Sequence, residues 1–220
     1  MCGRFVRHSP PSTYAELFGI DPIPGGPSYN VAPTQNVAAI RISDGNREGV
    51  QLRWGLIPVW SKDKKTSFVN ARSDTVLQKP AFRSAIKKRR CLVPADGYYE
   101  WKTVGKKKQP YYFYMRDGRP FAFAGIWECW KGEAEPLETC ALLTTEPNEP
   151  ARVVHDRMPV ILPAASYDTW LDPSLDDPAA IQKLMATYPA AEMACHAVTP
   201  AMGNVRHNGP DCIEPIEPGM

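Results

Sequence analysis

The sequence predicts an α+β fold in which a mainly antiparallel, mixed β-sheet or barrel-like core carries a few flanking helices. Many short β-rich runs are separated by Gly, Pro, Asn and Asp turns. The 23 prolines interrupt the chain too often for long helices. No Ser/Gly-rich linker divides the 220 residues, so we expect residues 1–220 to form a single domain.

Three consecutive β-rich runs lie in the middle of the chain, at Tyr98–Lys102, Tyr111–Met115 and Phe121–Trp127. Gly105 lies in the first connection, and Asp117-Gly118 forms the second. This pattern predicts an antiparallel meander. In the last run, aromatic residues alternate with Ala and Ile, so we expect both faces to be covered, as in a closed or sandwiched sheet.

Other segments complete the predicted secondary structure. Thr13 and Glu16 are spaced as a helix-capping box, and Gly19 follows as a helix end. Further strands are expected at Val37–Ile42, Val50–Trp54, Cys91–Pro94, Thr139–Thr145, Val160–Leu162 and Ala194–Val198. Further helices are expected near Pro80–Lys88, Ala164–Leu171 and Pro178–Thr187.

Composition excludes several classes of protein. The longest apolar stretch, near Phe121–Trp127, is far shorter than the roughly 20 residues of a membrane helix. Six cysteines without short paired spacings favour reduced thiols over disulfides or a zinc ribbon. We expect no membrane, metal or cofactor, and an intracellular monomer: cytoplasm or nucleoid in a bacterium, nucleus in a eukaryote.

The net charge of +2 is too small to indicate nucleic-acid binding by itself. Basic residues are nevertheless clustered in the middle third of the chain, at 62–65, 87–90 and 106–108. Each cluster alone is typical of a solvated helix end or hairpin tip.

Cys2 directly follows the initiator methionine. Removal of Met1 would leave an α-amine and a thiol on one residue, and such a pair condenses with an aldehyde, first to an imine and then to a five-membered thiazolidine. The amine titrates near ~7.7–8.0, and neighbours can draw the thiol toward thiolate. The alternative is a frayed terminus of no function.

Polar residues also occur inside apolar segments. Glu100 lies between aromatic residues, and burial would raise its pKa toward a value useful for proton transfer; an exposed edge-strand carboxylate is the alternative. His155 could serve as an acid near neutral pH or bond a neighbouring backbone group. Asn70 could orient a hydroxyl or amine and Arg72 could hold a phosphate, or both could belong to a strand-end turn.

Taken in order, seven motifs resemble those of the SRAP family, the SOS-response-associated peptidase or abasic-site processing proteins. The resemblance implies a mixed α/β fold that cradles the N-terminus, binding of single-stranded DNA with abasic sites, and a thiazolidine crosslink through the terminal cysteine. The motifs are Met1–Phe5, Tyr29–Thr34, Arg53–Pro58, Asn70–Arg72, Gly97–Lys102, His155–Pro159 and Gly203–Val205.

The resemblance also assigns expected roles to individual residues. Cys2 supplies both nucleophiles, and Asn70, Glu100 and His155 line its pocket. Arg4 and Arg72 hold phosphates. Trp54 and Trp60 contact bases, with core packing the alternative for both. Some relatives carry a second aromatic where this chain has Val59, which affects only the expected base stacking.

Alternatives to crosslinking remain open. Weak abasic-site lyase activity and Cys2-dependent removal of Met1 are secondary expectations. Because Met-Cys-Gly also begins the glutamine amidotransferases, an N-terminal-cysteine peptidase or amidohydrolase is a second interpretation. A non-covalent binder of single-stranded DNA is the third.

Overall fold

The structure is a computed structural model that describes residues 2–132 and 135–217. Within these residues the chain forms thirteen strands and five short α-helices. The strands are β1 (Phe5–Arg7), β2 (Ser28–Val31), β3 (Asn36–Ser43), β4 (Asn46–Trp54), β5 (Asn70–Arg72), β6 (Arg90–Ala95), β7 (Gly97–Val104), β8 (Lys107–Met115), β9 (Phe121–Trp130), β10 (Leu137–Thr145), β11 (Met158–Pro159), β12 (Ile161–Leu162) and β13 (Met193–Ala197).

The strands form two sheets. The first sheet has five strands in the order β13-β8-β7-β1-β2. The second has eight, and pairing of β9 with β10 closes the path β10-β4-β3-β6-β9 into a ring. Among the strands of the described residues, only β4 and β5 run parallel to β10, and the other pairs are antiparallel. The predicted α+β fold with a barrel-like, mainly antiparallel core is confirmed.

The predicted three-stranded meander is wrong at its second connection. β7 and β8 pair along their lengths, but β9 leaves this sheet and pairs with β6, β10 and β12 in the other. The reason is burial: β9 is covered on both faces, with Phe121 and Phe123 in one apolar cluster and Ala122 and Ala124 in another. A central position in the closed sheet buries both faces of β9, whereas a position at the edge beside β8 would not.

The helices are α1 (Pro11–Phe18), α2 (Ala85–Lys88), α3 (Glu149–Arg152), α4 (Tyr167–Leu171) and α5 (Pro178–Leu184). The capping box predicted at Thr13 is not used, because α1 begins earlier with proline in its first turn. Gly19 does end the helix in the left-handed conformation. The helix expected over Pro80–Lys88 forms only over α2. Among the described residues, no helix is long and apolar enough to cross a membrane.

The pairing of β1 with β7 places the start of the chain inside the molecule. Phe5 lies opposite Tyr98 and Val6 opposite Gly97. A side chain at Gly97 would come within 2.3 Å of the Tyr112 ring, so only glycine permits this close strand packing. Asp96, just before β7, fixes the other end of β1 by accepting hydrogen bonds from the backbone of His8 and Ser9, at 2.5 and 3.0 Å. All six cysteines are free thiols.

Candidate active site

Cys2 lies in the apolar cluster between the two sheets and has no exposed surface. Its carbonyl oxygen accepts a hydrogen bond from Asn70 Nδ2 at 2.8 Å. Asn70 begins β5, so the edge of the closed sheet holds the backbone of the residue predicted to be the nucleophile. The buried Asn70 Oδ1 has no hydrogen-bond partner in the part of the chain described, which leaves an acceptor for an incoming donor.

Glu100 lies on β7 with only 2% of its surface exposed, so the alternative of an exposed edge-strand carboxylate does not apply. Burial raises its pKa above the ordinary value, and the nearby His155 opposes that rise. The Glu100 carboxyl group also interacts with the Cys2 thiol. The pKa of this thiol is raised well above its usual range, mainly by burial and to a smaller extent by the charge of Glu100. The expectation of a thiol drawn toward thiolate is therefore corrected, because a base must remove its proton.

His155 follows α3 and reaches the same site, since it interacts electrostatically with Glu100. Its Nδ1 lies 3.0 Å from the backbone N–H of Arg157 and 2.8 Å from Asp156 Oδ1. In the neutral ring, Nδ1 accepts from Arg157 and the proton is on Nε2. In the charged ring, Nδ1–H is paired with Asp156. Both protonation states thus have a partner at Nδ1, which suits a group that gives and takes a proton.

A mostly apolar cavity of about 360 Å³ opens beside Asn70. Trp60, Phe68 and Phe82 form apolar parts of its wall, and Arg72 and Lys79 supply positive charge. The Trp60 side chain is 57% exposed, so core packing does not account for it. Because Asn70 both lines this cavity and bonds the Cys2 carbonyl, the cavity lies next to the backbone of Cys2.

Arg72 is at the rim of the cavity with its side chain half exposed. It makes two hydrogen bonds to Asp74, from Nε at 3.1 Å and from Nη2 at 2.6 Å. The Arg72 hydrogen bonds lower the pKa of Asp74. A phosphate at this position would compete with Asp74 for the same donors.

A family model described as "SOS response associated peptidase (SRAP)" matches residues 1–205. This chain belongs to the SRAP family. It is 44% identical over 224 residues to the abasic site processing protein YoqW of Bacillus subtilis, covering 97% of this chain and 99% of that one. It is 30% identical to YedK of Escherichia coli, also an abasic site processing protein, covering 98% and 100% of the two chains.

A vertebrate relative and a crystal structure extend the comparison. The chain is 34% identical to the abasic site processing protein HMCES of Gallus gallus, covering 88% of this chain and 68% of the relative. A crystal structure of a Bacteroides thetaiotaomicron protein superposes with a TM-score of 0.88 at 29% identity, covering 98% of this chain and 100% of that one.

Arg4 connects three of the SRAP motifs. Its guanidinium donates to Asn30 Oδ1 at 3.0 Å, to Met202 O at 3.2 Å and to Gly203 O at 3.3 Å. The amide nitrogen of the buried Asn30 in turn lies 2.7 Å from Met202 O and 2.8 Å from His207 O. Arg4 and Asn30 therefore fasten the segment after Cys2 to the segment 202–207 near the other end of the chain.

Trp54 differs from Trp60. It is completely buried, and its indole N–H donates to Val69 O at 2.9 Å. The core-packing alternative accounts for Trp54, because no indole surface is available for a base. The side chain instead positions Val69, the residue before Asn70.

Sequence reasoning gave no role to Asn30, Asp74 or Tyr98. Asn30 lies within the Tyr29–Thr34 motif, but the carbonyl groups that accept its hydrogen bonds are about 170 residues away in sequence. Asp74 lies two residues after Arg72, and that spacing was a usable signal for an ion pair. Tyr98 resembles any aromatic strand residue in sequence; only the structure reveals that its hydroxyl is buried without a partner in the described chain.

Proposed function

We propose that this protein captures abasic sites in single-stranded DNA through a thiazolidine formed by Cys2 after removal of Met1, and so protects the damaged strand. The observation that carries the proposal is that Asn70 and Glu100 both act on Cys2 while His155 interacts with Glu100, although the three residues come from distant segments. The names of the relatives, abasic site processing proteins, support the class of substrate.

The reaction begins with the sugar. An abasic deoxyribose is mostly a closed hemiacetal, and His155 acts as the general acid that helps to open it to the aldehyde. The Cys2 amine then adds to C1. Glu100 removes a proton from the nitrogen and returns a proton to the carbinolamine oxygen, which leaves as water to give the imine. Asn70, already bonded to the Cys2 carbonyl, directs the amine through its unused Oδ1.

The second half of the reaction closes the ring. Glu100 takes the thiol proton, sulfur forms a bond to C1, and the C=N electron pair moves to nitrogen, which receives that proton. The overall change is aldehyde plus aminothiol to thiazolidine plus one water. The raised pKa of the thiol means that sulfur needs this base, and the raised pKa of Glu100 makes the carboxylate a better one.

The DNA strand lies along the cavity beside Asn70. Trp60 stacks on a base next to the lesion, Arg72 exchanges Asp74 for a phosphate, and the surface edge of the Arg4 guanidinium approaches a second phosphate. Weak lyase activity follows from the imine, which acidifies the adjacent sugar carbon. Cys2-dependent removal of Met1 is a separate secondary proposal.

The test is a denaturing gel of Met1-processed protein mixed with single-stranded DNA carrying one abasic site. The wild type should give a stable shifted band, and Cys2→Ala none. Cys2→Ala and Cys2→Ser both retain the α-amine after removal of Met1, so each should give a band only when the imine is trapped with borohydride. Cys129→Ala, which removes a partly buried thiol of β9, is the control and should behave as wild type.

Two outcomes would support the alternatives. Release of ammonia from glutamine by the wild type and not by Cys2→Ala would favour the amidohydrolase. Equal affinity for intact and abasic strands, with no stable band, would favour the non-covalent DNA binder. A stable adduct that persists in Cys2→Ala would identify a lysine as nucleophile and overturn the mechanism.

A further inference from the structure

Tyr98 has a hydroxyl group that packing does not explain. The residue is completely buried, and its ring stacks on Phe113 with centroids 4.9 Å apart. The hydroxyl oxygen is inaccessible to solvent and has no hydrogen-bond partner within residues 2–132 and 135–217. Burying a hydroxyl without a partner is unfavourable, and a phenylalanine would make the same ring contacts without that cost.

Tyr98 lies in the same apolar cluster as Cys2 and on the same strand as Glu100. Tyr98 precedes Glu100 by two residues on β7, so both side chains project from the same face of the strand. Across the sheet it pairs with Phe5 of β1, three residues after Cys2. The phenol interacts electrostatically with Cys2, Glu100 and Cys195. These are the thiol and the carboxyl group of the proposed reaction, together with one further thiol.

The phenol is held in its protonated form. Burial raises the pKa of Tyr98 well above its ordinary value, and the Cys2 and Glu100 groups add to the rise. A phenol that keeps its proton is a hydrogen-bond donor and not a base. Tyr98 therefore holds an unused hydrogen-bond donor in the same buried cluster as Cys2, whose sulfur becomes negative when Glu100 removes the thiol proton.

We infer that Tyr98 is a catalytic residue of the capture reaction: its hydroxyl donates a hydrogen bond to the Cys2 sulfur as the thiolate forms and closes the thiazolidine ring. This inference rests on the proposed function. Tyr98 does not exchange its proton. Glu100 carries the thiol proton to nitrogen, and the phenol stabilises the sulfur anion during the transfer, in a site from which water is excluded.

The adjacent tyrosine provides a matched control. The hydroxyl of Tyr99 donates to Tyr29 O at 2.7 Å and lies 3.3 Å from Cys212 O, in the separate apolar cluster behind the sheet. Tyr98→Phe removes a hydroxyl without a partner and should leave the melting temperature unchanged or higher. Tyr99→Phe removes a satisfied hydroxyl and should lower it. Tyr98→Phe is thus expected to lose reaction rate but not stability, and Tyr99→Phe to lose stability but not reaction rate.

The experiment separates imine formation from ring closure. Wild type, Tyr98→Phe and Tyr99→Phe are mixed with abasic single-stranded DNA and quenched over time with cyanoborohydride, which reduces the imine and spares the thiazolidine. Thiol alkylation followed by intact-mass measurement then quantifies the reduced imine, in which the Cys2 thiol is free, and the thiazolidine, in which it is not. Tyr98→Phe should close the ring about 10- to 100-fold more slowly, the factor typical of a hydrogen bond to a charged group, and should accumulate reducible imine. Tyr99→Phe should give the wild-type ratio.

The pH profile is a second readout that a packing role would not change. In Tyr98→Phe the thiolate loses a donor, so the rise of the ring-closure rate with pH should move to higher pH than in wild type. Glu100, which acts on the Cys2 thiol, and His155, which acts on Glu100, are identical in both proteins. Wild-type ring closure and an unshifted profile in Tyr98→Phe would overturn this inference alone. Absence of any adduct in wild type would overturn the proposed function with it.

Discussion

Replacement of Arg4 by alanine tests whether this residue holds the catalytic end of the chain in place. The guanidinium makes three hydrogen bonds, of which the one to Gly203 is at the surface and contributes little. The other two, to Asn30 and Met202, are partly buried. Taking ~1.5 kcal/mol for each partly buried bond from a charged donor, the loss is about 3 kcal/mol. For a chain of this length that corresponds to a melting temperature lower by about 6–12 °C.

The assay is thermal unfolding followed by circular dichroism, with Arg206→Ala as the control. Arg206 is an exposed arginine on the segment that Arg4 fastens, and its loss should change the free energy of unfolding by less than about 0.5 kcal/mol. Arg4→Lys keeps the charge but cannot supply the planar set of donors, so its melting temperature should fall nearly as far as that of Arg4→Ala.

DNA binding separates the two roles of Arg4. If its surface edge contacts one phosphate, Arg4→Ala should lower the slope of log affinity against log salt by about 0.7, and Arg4→Lys should retain the slope. Unfolding of Arg4→Ala at the same temperature as Arg206→Ala would refute the reasoning that the three hydrogen bonds fasten the terminus.

Four further predictions concern the site. Glu100→Gln should slow crosslinking by about 100-fold or more and yet raise the melting temperature at neutral pH. Burial raises the pKa of Glu100 in the folded protein, so ionisation of Glu100 lowers the stability as the pH rises above the ordinary carboxyl range. The gain in melting temperature should therefore vanish when unfolding is measured near pH 3, where the carboxyl group is neutral. His155→Ala should slow capture of a closed abasic sugar more than capture of an open-chain aldehyde analogue, and equal slowing in parallel kinetic runs would remove the acid role. Asp74→Asn should free Arg72 and tighten DNA binding by up to about 5-fold at low salt, since exposed ion pairs contribute ~0–1 kcal/mol; titrations that show the same gain at high salt would argue against electrostatics. Trp60→Ala should weaken DNA binding by ~1–3 kcal/mol with an unchanged melting temperature, and wild-type affinity would exclude stacking.

Local patterns in the sequence predicted most of the strands. The alternation in Phe121–Trp127 predicted a strand covered on both faces, and its two sides do lie in two different apolar clusters. The choice of partner strand was not predictable in the same way. The Asp117-Gly118 turn predicts only that the chain reverses direction, whereas the pairing of β9 with β6 and β10 depends on how much cover each sheet provides.

The site was predictable as a set of residues and not as a set of contacts. Cys2, Asn70, Glu100 and His155 were each weak signals, and their order along the chain in recognisable motifs connected them. The hydrogen bonds that Asn30 donates join residues separated by more than 170 positions, so no local pattern contains them. The state of the Cys2 thiol also depends on burial in the fold, which raises its pKa, in contrast to the sequence-based expectation.

The most direct test of the central claim is mass spectrometry of the crosslinked product after trypsin and nuclease digestion. Cleavage after Arg4 should release the peptide Cys2–Arg4 joined to one deoxyribose phosphate remnant, without Met1, lighter by one water than the sum of its parts. The product should resist both thiol alkylation and borohydride reduction, because amine and sulfur are both bonded to C1. A remnant on a lysine-containing peptide, or on a peptide that retains Met1, would contradict the account.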